Sequence, residues 1–536
     1  MDLWLQSSII YFNLIRYKYE VKIYEIQLFL YVKKNIITIT FTLLACLTLV
    51  SQAKKPNILF IFVDDLSYDC VASHGNKQVK TPNIDRLTSE STHFTQAYNS
   101  GTWSAAVCLA SRTQLMTGQR VWHAGALYNG IKSNVHPEIL KKIDAPKTTL
   151  VEYAEAGLFW PQLMEQSGYE TYYAGKWHVG PNSIAEKIWK HTKNLRPGMP
   201  NQAEIRYNRT FVRGQTSNWL PTDVTNQGYW KGGKHWSEVL KDDAIEFLDI
   251  SKKSKKPFLM TIAFNAPHDP KQAPKEFQDM YPYDSIKVPE NFLPEYPHDF
   301  GANRIRDEQL APFPRTPYSI QVNRSEYYAL ITHLDVQIGQ ILAHLKTTGQ
   351  DKNTYIFFTA DHGLAIGQHG MTGKQNMYDH SVRVPWLISG PGIPKGKKVD
   401  DFIYLQDVMA TSLDLADIKK PSHLEFNSVL PIINGEKKVC TNIVYSSYLN
   451  HQRMVRSKDY KYIIYPISGI ELLYDLRKDP LEITDVSKIK KYNKYLEKMR
   501  THLANEMNEF LDPLNLEHPK ESYKLYKKKN KKHRRH

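Results

Sequence analysis

From Pro56 onward the chain alternates short, unbroken apolar runs with amphipathic stretches. Unbroken runs suit strands buried on both faces, and the amphipathic stretches between them supply covering helices. The pattern therefore predicts an α/β fold around a central, mostly parallel sheet flanked by helices. The clearest strands are ILFIFV (58–63), ETYYA (170–174), FLMTIAF (258–264), TYIFFT (354–359) and VPWLIS (384–389). The best helix spans 325–349, where Ser325 can cap it, Tyr327, Ile331, Leu334, Ile338, Ile341 and Leu345 form one stripe, and Gly349 ends it. Residues 267–317 are rich in proline and without period, and are expected to run as long surface loops that shape a cleft. After Gly435 the texture changes to NIVYSSY (442–448), YKYIIYP (460–466) and ELLYDL (471–476), then a helix near 490–510. That change predicts a smaller α+β subdomain with an antiparallel sheet over 436–515, behind a catalytic domain over 54–435.

Composition alters this picture only at the ends. With 536 residues, 41% hydrophobic and 23% charged, the chain has ample material for a buried core, which excludes a disordered protein. The segment KKNIITITFTLLACLTLVSQA (33–53) carries two lysines, an apolar run and small residues before Ala53, the order of a secretory signal cut after Ala53. Residues 1–32 are long and mixed for the leading part of such a signal, so the expected start lies further along. A membrane anchor and lipidation at Cys46 are competing readings, and no stable membrane span is expected in the mature chain. The protein is thus expected to be exported, periplasmic or secreted. Eight Lys or Arg in the tail at 522–536 account for about half of the net charge of +15. With the excess concentrated in a solvated tail and no nucleic-acid motif present, a nucleic-acid partner is not expected. Attraction to a polyanionic substrate stays open.

Chemistry gathers behind the strands. ILFIFV runs into Asp64-Asp65, ETYYA into Gly175-Lys176-Trp177-His178, FLMTIAF into Asn265-Ala266-Pro267-His268, and TYIFFT into Ala360-Asp361-His362-Gly363. Singly, each could be a cap, a turn or a packed side chain. Ligands of open parallel sheets bind at the carboxyl ends of the strands, so four polar groups at four such ends are expected to converge. Lys176 and His178, two apart on an extended segment, would share a face. Three carboxylates with one imidazole nearby make a hard-oxygen site suited to calcium, with magnesium or manganese as alternatives. Cys108 opens a short helical pattern stopped by Gly118, where free N–H groups favour anions, and Arg112 one turn on can reach back toward it. Once Cys46 leaves with the signal, Cys70, Cys108 and Cys440 remain, an odd number for an exported chain.

The segments KPNILFIFVDDLSYD, TPNIDRLTSESTHFTQAY, CLASRTQLMTGQR, GYETYYAGKWHVG, APHDP, YYALITHLDVQIGQIL and FFTADHGLAIGQHGMTGKQNMYDHSVRVPWLISGPG together resemble the type I sulfatases of the alkaline-phosphatase-like superfamily. The resemblance covers nearly the whole mature chain and includes a close similarity to the iduronate- and polysaccharide-type sulfatases. It implies that Cys108 is oxidised by a formylglycine-generating or sulfatase-maturing enzyme to formylglycine, whose hydrate is the nucleophile. It implies one calcium ion held by Asp64, Asp65, Asp361, His362 and residue 108. Arg112 would orient the hydrate, Lys176, His178, His268 and Lys374 would bind sulfate, and His268 would protonate the leaving alcohol. His178 is the expected acceptor of the second hydroxyl proton. One departure is Ala110, where the family motif has proline; a C-x-A-x-R form occurs among sulfatases, and conversion is expected to proceed. Residues 200–236 and 267–317, with His380 and Arg383, are expected to line a subsite for a sulfated poly- or oligosaccharide, of marine algal or glycosaminoglycan type. The rival readings are a phosphonate monoester or phosphodiester hydrolase of the same superfamily and an inactive relative that only binds sulfated glycans.

Overall fold

The computed structural model describes residues 2–48, 55–129, 149–196, 198, 209–215, 217–230, 232–303, 305–436 and 441–519. The chain divides into two units, residues 1–55 and the remainder from Pro56. In the first, Asp2–Thr48 is one continuous helix. No described helix is long and apolar enough to cross a membrane. The expected cleavage point after Ala53, Cys440 and tail residues 520–536 lie outside the described residues.

The second unit is built on a sheet of nine described strands: β1 (Asn57–Val63), β2 (Thr92–Tyr98), β3 (Glu170–Lys176), β4 (His191–Arg196), β5 (Phe258–Ala263), β6 (Thr354–Ala360), β7 (Arg383–Val384), β8 (Trp386–Ser389) and β9 (Lys397–Tyr404). Their order is β4-β3-β5-β1-β6-β8-β2, with β7 and β9 also against β2. The five from β4 to β6 run parallel, with Ile58 of β1 opposite Leu259 of β5 on one side and Tyr355 of β6 on the other. All seven residues of β1 are buried, which explains its unbroken apolar run. The expected strand 384–389 is divided at Pro385 into β7 and β8, because proline has no N–H for a ladder, and β8 runs antiparallel to β6. Strands β2, β4 and β9 carry mixed sequences (THFTQAY, HTKNLR and KKVDDFIY) that the apolar pattern passes over.

Two expectations need correction. The long helix runs from Pro317 to Thr347, starting well before Ser325. Thr316 caps it by accepting from the Ser319 N–H at 3.1 Å, with Pro317 in the first turn, where its missing N–H costs nothing. Ser325 lies inside the helix and donates to the Tyr281 carbonyl at 2.6 Å. The proline-rich stretch does run largely as loops and short helical turns, yet it is not all surface. His268, Asp269, Lys271, Gln272, Asp307, Glu308 and Arg315 are buried, since this stretch walls the site described below.

A separate antiparallel sheet follows: β10 (Val444–Tyr448), β11 (Gln452–Arg456), β12 (Tyr460–Tyr465) and β13 (Ile470–Asp475). The helix Asn493–Glu509 buries Leu496, Met499, Leu503 and Met507. The tyrosine hydroxyls of residues 296, 378, 465 and 474 meet at 2.7–3.0 Å, joining β12 and β13 to loops of the larger sheet. Gln452 of β11 donates its amide to the carbonyls of Phe300 and Gln375, both at 2.8 Å.

Candidate active site

The carboxyl ends of β1, β3, β5 and β6 are stitched into one floor. Asp64 N–H donates to the Ala266 carbonyl after β5, and Asp361 N–H to the Val63 carbonyl, each at 3.1 Å. Asp65 takes a left-handed φ of 64°, which turns the chain at once, and its N–H donates to Asp361 Oδ1 at 3.1 Å. The long helix braces this turn: Tyr327 donates its hydroxyl to the Asp65 carbonyl at 2.5 Å. At the end of β3, Gly175 has φ 102°, and a Cβ there would lie 2.1 Å from the Ala263 carbonyl oxygen. Only glycine lets β3 approach β5 this closely and deliver Lys176 onto Asp64, with which it forms a buried ion pair. His178 adopts φ 51°, so the segment is not extended at that residue. The His178 ring sits beside Gly198, and its buried Nδ1 has no hydrogen-bond partner among the described residues.

Cys108 is the second residue of the helix Val107–Thr117, which Gly118 closes in the left-handed conformation. Its Sγ lies 3.2 Å from Asp64 Oδ1, 3.5 Å from Asp65 Oδ1 and 2.9 Å from Lys374 Nζ. Lys374 also donates to both oxygens of Asp65, at 2.8 and 2.6 Å. Arg112 donates Nε to Asp361 Oδ2 and Nη1 to the Lys176 carbonyl, each at 2.8 Å. Its buried Nη2 has no hydrogen-bond partner among the described residues and lies 4.0 Å from Asp64. The guanidinium is thus a brace between two strand ends with one N–H pair still turned inward. His268 presents Nε2 3.4 Å from Asp65 Oδ2 and Nδ1 2.9 Å from Asp269 Oδ1. His362 is buried next to Asp361 with Nδ1 on the Gly363 carbonyl at 2.9 Å.

Ten of the twelve expected residues therefore lie in this region. The other two face elsewhere: His380 Nε2 meets His369 Nδ1 at 3.3 Å, and Arg383 lies over the Tyr68 ring, its Cζ 3.7 Å from the centroid. Both line a cavity of about 230 Å³ bounded by Tyr68, Asn291, Arg324 and Glu482. The residues that pattern reading missed are the supports: Asn99, which donates to the Asp361 carbonyl at 2.8 Å, and Asp269, Arg306, Asp307, Glu308 and Gln375 around His268 and Lys374. Of these, Asp269 and Gln375 stood inside segments already marked, and neither was singled out.

Charge is concentrated and nearly balanced here. Burial pushes the Asp64 carboxyl up, but Lys176, His268, Arg112 and Lys374 together hold it well below the usual range. Asp361 goes the other way, to about 6, through burial and the neighbouring Asp64 charge. Burial and the Asp361, Asp64 and Asp65 charges push the Cys108 thiol well up. Burial, Lys176 and Arg112 lower His178 to about 2, so its ring is neutral. His268 is raised although burial and Lys374 oppose it, because Asp65, Asp269 and Asp64 surround it.

The donor set fits a divalent cation. Ligand atoms of Asp64, Asp65, Cys108 and His268 lie within 4.8 Å of one another, all buried. Asp361 adjoins this group through the Asp65 N–H and Arg112, and His362 follows it. Crowded buried carboxylates are the hard-oxygen environment that calcium takes, and a dication there would relieve their mutual repulsion. Asp64 and Asp65 are also paired with ammonium groups, those of Lys176 and Lys374.

The chain is similar to known proteins over most of its length. A family model described as "Sulfatase" matches residues 56–418, and one described as "N-sulphoglucosamine sulphohydrolase, C-terminal" matches 367–509. An arylsulfatase of Clostridium perfringens is 27% identical over 84% of this chain and 94% of its own length. An ulvan-active sulfatase of Formosa agariphila is 26% identical over 83% of this chain and 81% of its own. In fold, the chain is similar to a phosphonate monoester hydrolase of Agrobacterium radiobacter, with TM-score 0.64, 21% identity and coverage of 85% of this chain and 95% of that one.

Proposed function

The chain belongs to the sulfatase family and is a sulfuric ester hydrolase, and from that premise we propose that it removes sulfate from a sulfated oligo- or polysaccharide at the centre around Cys108. The observation that carries the reading is the meeting of Cys108 Sγ with Asp64, Asp65 and Lys374 at 2.9–3.5 Å, although these residues are far apart in sequence. In this reading a sulfatase-maturing enzyme oxidises Cys108 to formylglycine, and calcium is held by Asp64, Asp65, Asp361, His362 and residue 108. The cation supplies Lewis-acid charge beside the ester, and the hydrated aldehyde supplies an oxygen nucleophile where a thiol stood.

The protein's own side chains do the rest. Lys176 and Lys374, which stand on Asp64 and Asp65, would bind the sulfate oxygens once a cation is held by those carboxylates, each donor contributing about 3–4 kcal/mol. Arg112 keeps Asp361 and the end of β3 in register, and its inward Nη2 faces the reacting centre. His268 donates its Nε2 proton to the leaving sugar oxygen as the S–O bond breaks. The neutral His178 ring accepts a proton when residue 108 is regenerated.

A carbohydrate substrate is supported by the ulvan-active relative, whereas Trp219, Tyr229, Trp230 and Trp236, expected to line the sugar subsite, are buried in packing. The signal-like segment 33–53 supports export, periplasmic or secreted. Cys108→Ala is expected to abolish sulfate release, measured by ion chromatography on a panel of sulfated oligosaccharides. The peptide containing residue 108 from active protein is expected about 18 Da lighter than its cysteine form. A fully active preparation with unoxidised Cys108 would refute the scheme. Aryl sulfate is expected to turn over faster than an aryl phosphodiester; the reverse order would favour the phosphodiesterase reading.

A further inference from the structure

His268 is gripped from behind. Its Nδ1 faces two atoms that carry no proton, the Asp269 carbonyl at 2.7 Å and Asp269 Oδ1 at 2.9 Å. Nδ1 must therefore be the donor, which leaves Nε2 as the nitrogen turned toward Asp65 and the reacting centre, 3.4 Å from Asp65 Oδ2. His268 and Asp269 are only 3% and 4% exposed, so water has little access to replace this contact.

Asp269 is itself held. Arg306 Nη2 stands 3.6 Å from Asp269 Oδ1 and 2.5 Å from Asp307 Oδ1. Asp307 Oδ2 accepts from the Gln375 amide at 2.9 Å, beside Lys374. The adjacent Glu308 accepts from the N–H groups of Thr372 and Gly373 at 3.0 and 2.8 Å. One short turn, Arg306–Leu310, thus fixes both the carboxylate behind His268 and the loop that carries Lys374.

We propose that Asp269 is a positioning residue for the acid step, locking Nδ1–H so that His268 offers Nε2–H to the leaving oxygen, with Arg306 keeping the carboxylate in place. The inference rests on the reading of His268 as the acid. As the S–O bond breaks, the proton passes from Nε2 to the departing oxygen, the imidazolium becomes neutral imidazole, and Asp269 stays ionised throughout. The contribution must grow with the basicity of the leaving group, because 4-nitrophenolate departs with little help and an alkoxide or simple phenolate does not.

The test is a series of aryl sulfates, from 4-nitrophenyl through phenyl to 4-methylphenyl sulfate. Rates are measured on wild type, His268→Ala, Asp269→Asn and Arg306→Gln, all matched for melting temperature, aldehyde content and bound calcium. For Asp269→Asn, kcat/KM is expected to fall about 100-fold on phenyl sulfate but about 3-fold on 4-nitrophenyl sulfate. Arg306→Gln is expected to give the same split at about a tenth of the size, and it serves if Asp269→Asn does not fold. Equal losses on all three substrates in the variants of 269 and 306, with a steep split in His268→Ala, would overturn the proposal and leave the acid intact. Equal losses in His268→Ala itself would remove the acid reading instead.

Discussion

Gly175 and Asp269 mark the limits of residue-scale reading. Gly175 stood in a motif as a plain punctuation mark, yet β3 cannot lie against β5 with any larger residue, since its Cβ would overlap the Ala263 carbonyl at 2.1 Å. Gly175→Ala is expected to cost at least about 3 kcal/mol, from the clash and the left-handed φ together, read as a lower urea midpoint. It should also pull Lys176 off Asp64, so that activity falls further than stability. Asp64, Asp65, Lys176, His268 and Asp361 were visible in the sequence because each ends an unbroken apolar strand. Arg306–Glu308 were invisible because they follow no strand, and because charged residues in a proline-rich stretch look like solvated loop until burial is known.

Strands and helices were legible where burial was uniform. β1, β3, β5 and β6 are covered on both faces and so read as continuous apolar runs, while β4 and β9 mix polar with apolar positions and gave no such signal. β11 was missed for another reason: Gln452 and Arg453 are fully buried but spend their polar atoms on the Phe300 and Gln375 carbonyls and on Asp512. The start of the long helix was misplaced because a serine inside it looks like a cap and Pro317 looks like a breaker. Thr316→Ala is therefore expected to cost about 1 kcal/mol, measured by thermal or chemical unfolding, through loss of the contact to the Ser319 N–H.

At the scale of the whole molecule, acidic groups away from the active site contribute to the pH response. Asp407 is buried at the start of the helix Asp407–Leu415, and burial raises it to about 7. Its folded pKa lies above the unfolded value, so the folded state keeps a proton that the unfolded chain releases. Stability is then lost as pH rises from about 4 to about 7, by on the order of 4 kcal/mol. Asp407→Asn is expected to flatten this slope in urea titrations at successive pH values; an unchanged slope would assign it to other groups.

Gln452 reaches from the second sheet to the carbonyl next door to Lys374. The part of the polypeptide from residue 436 is therefore no interchangeable cartridge. Grafting the corresponding part of another relative onto this front portion is expected to shift the loop that carries Lys374, even with every motif left untouched.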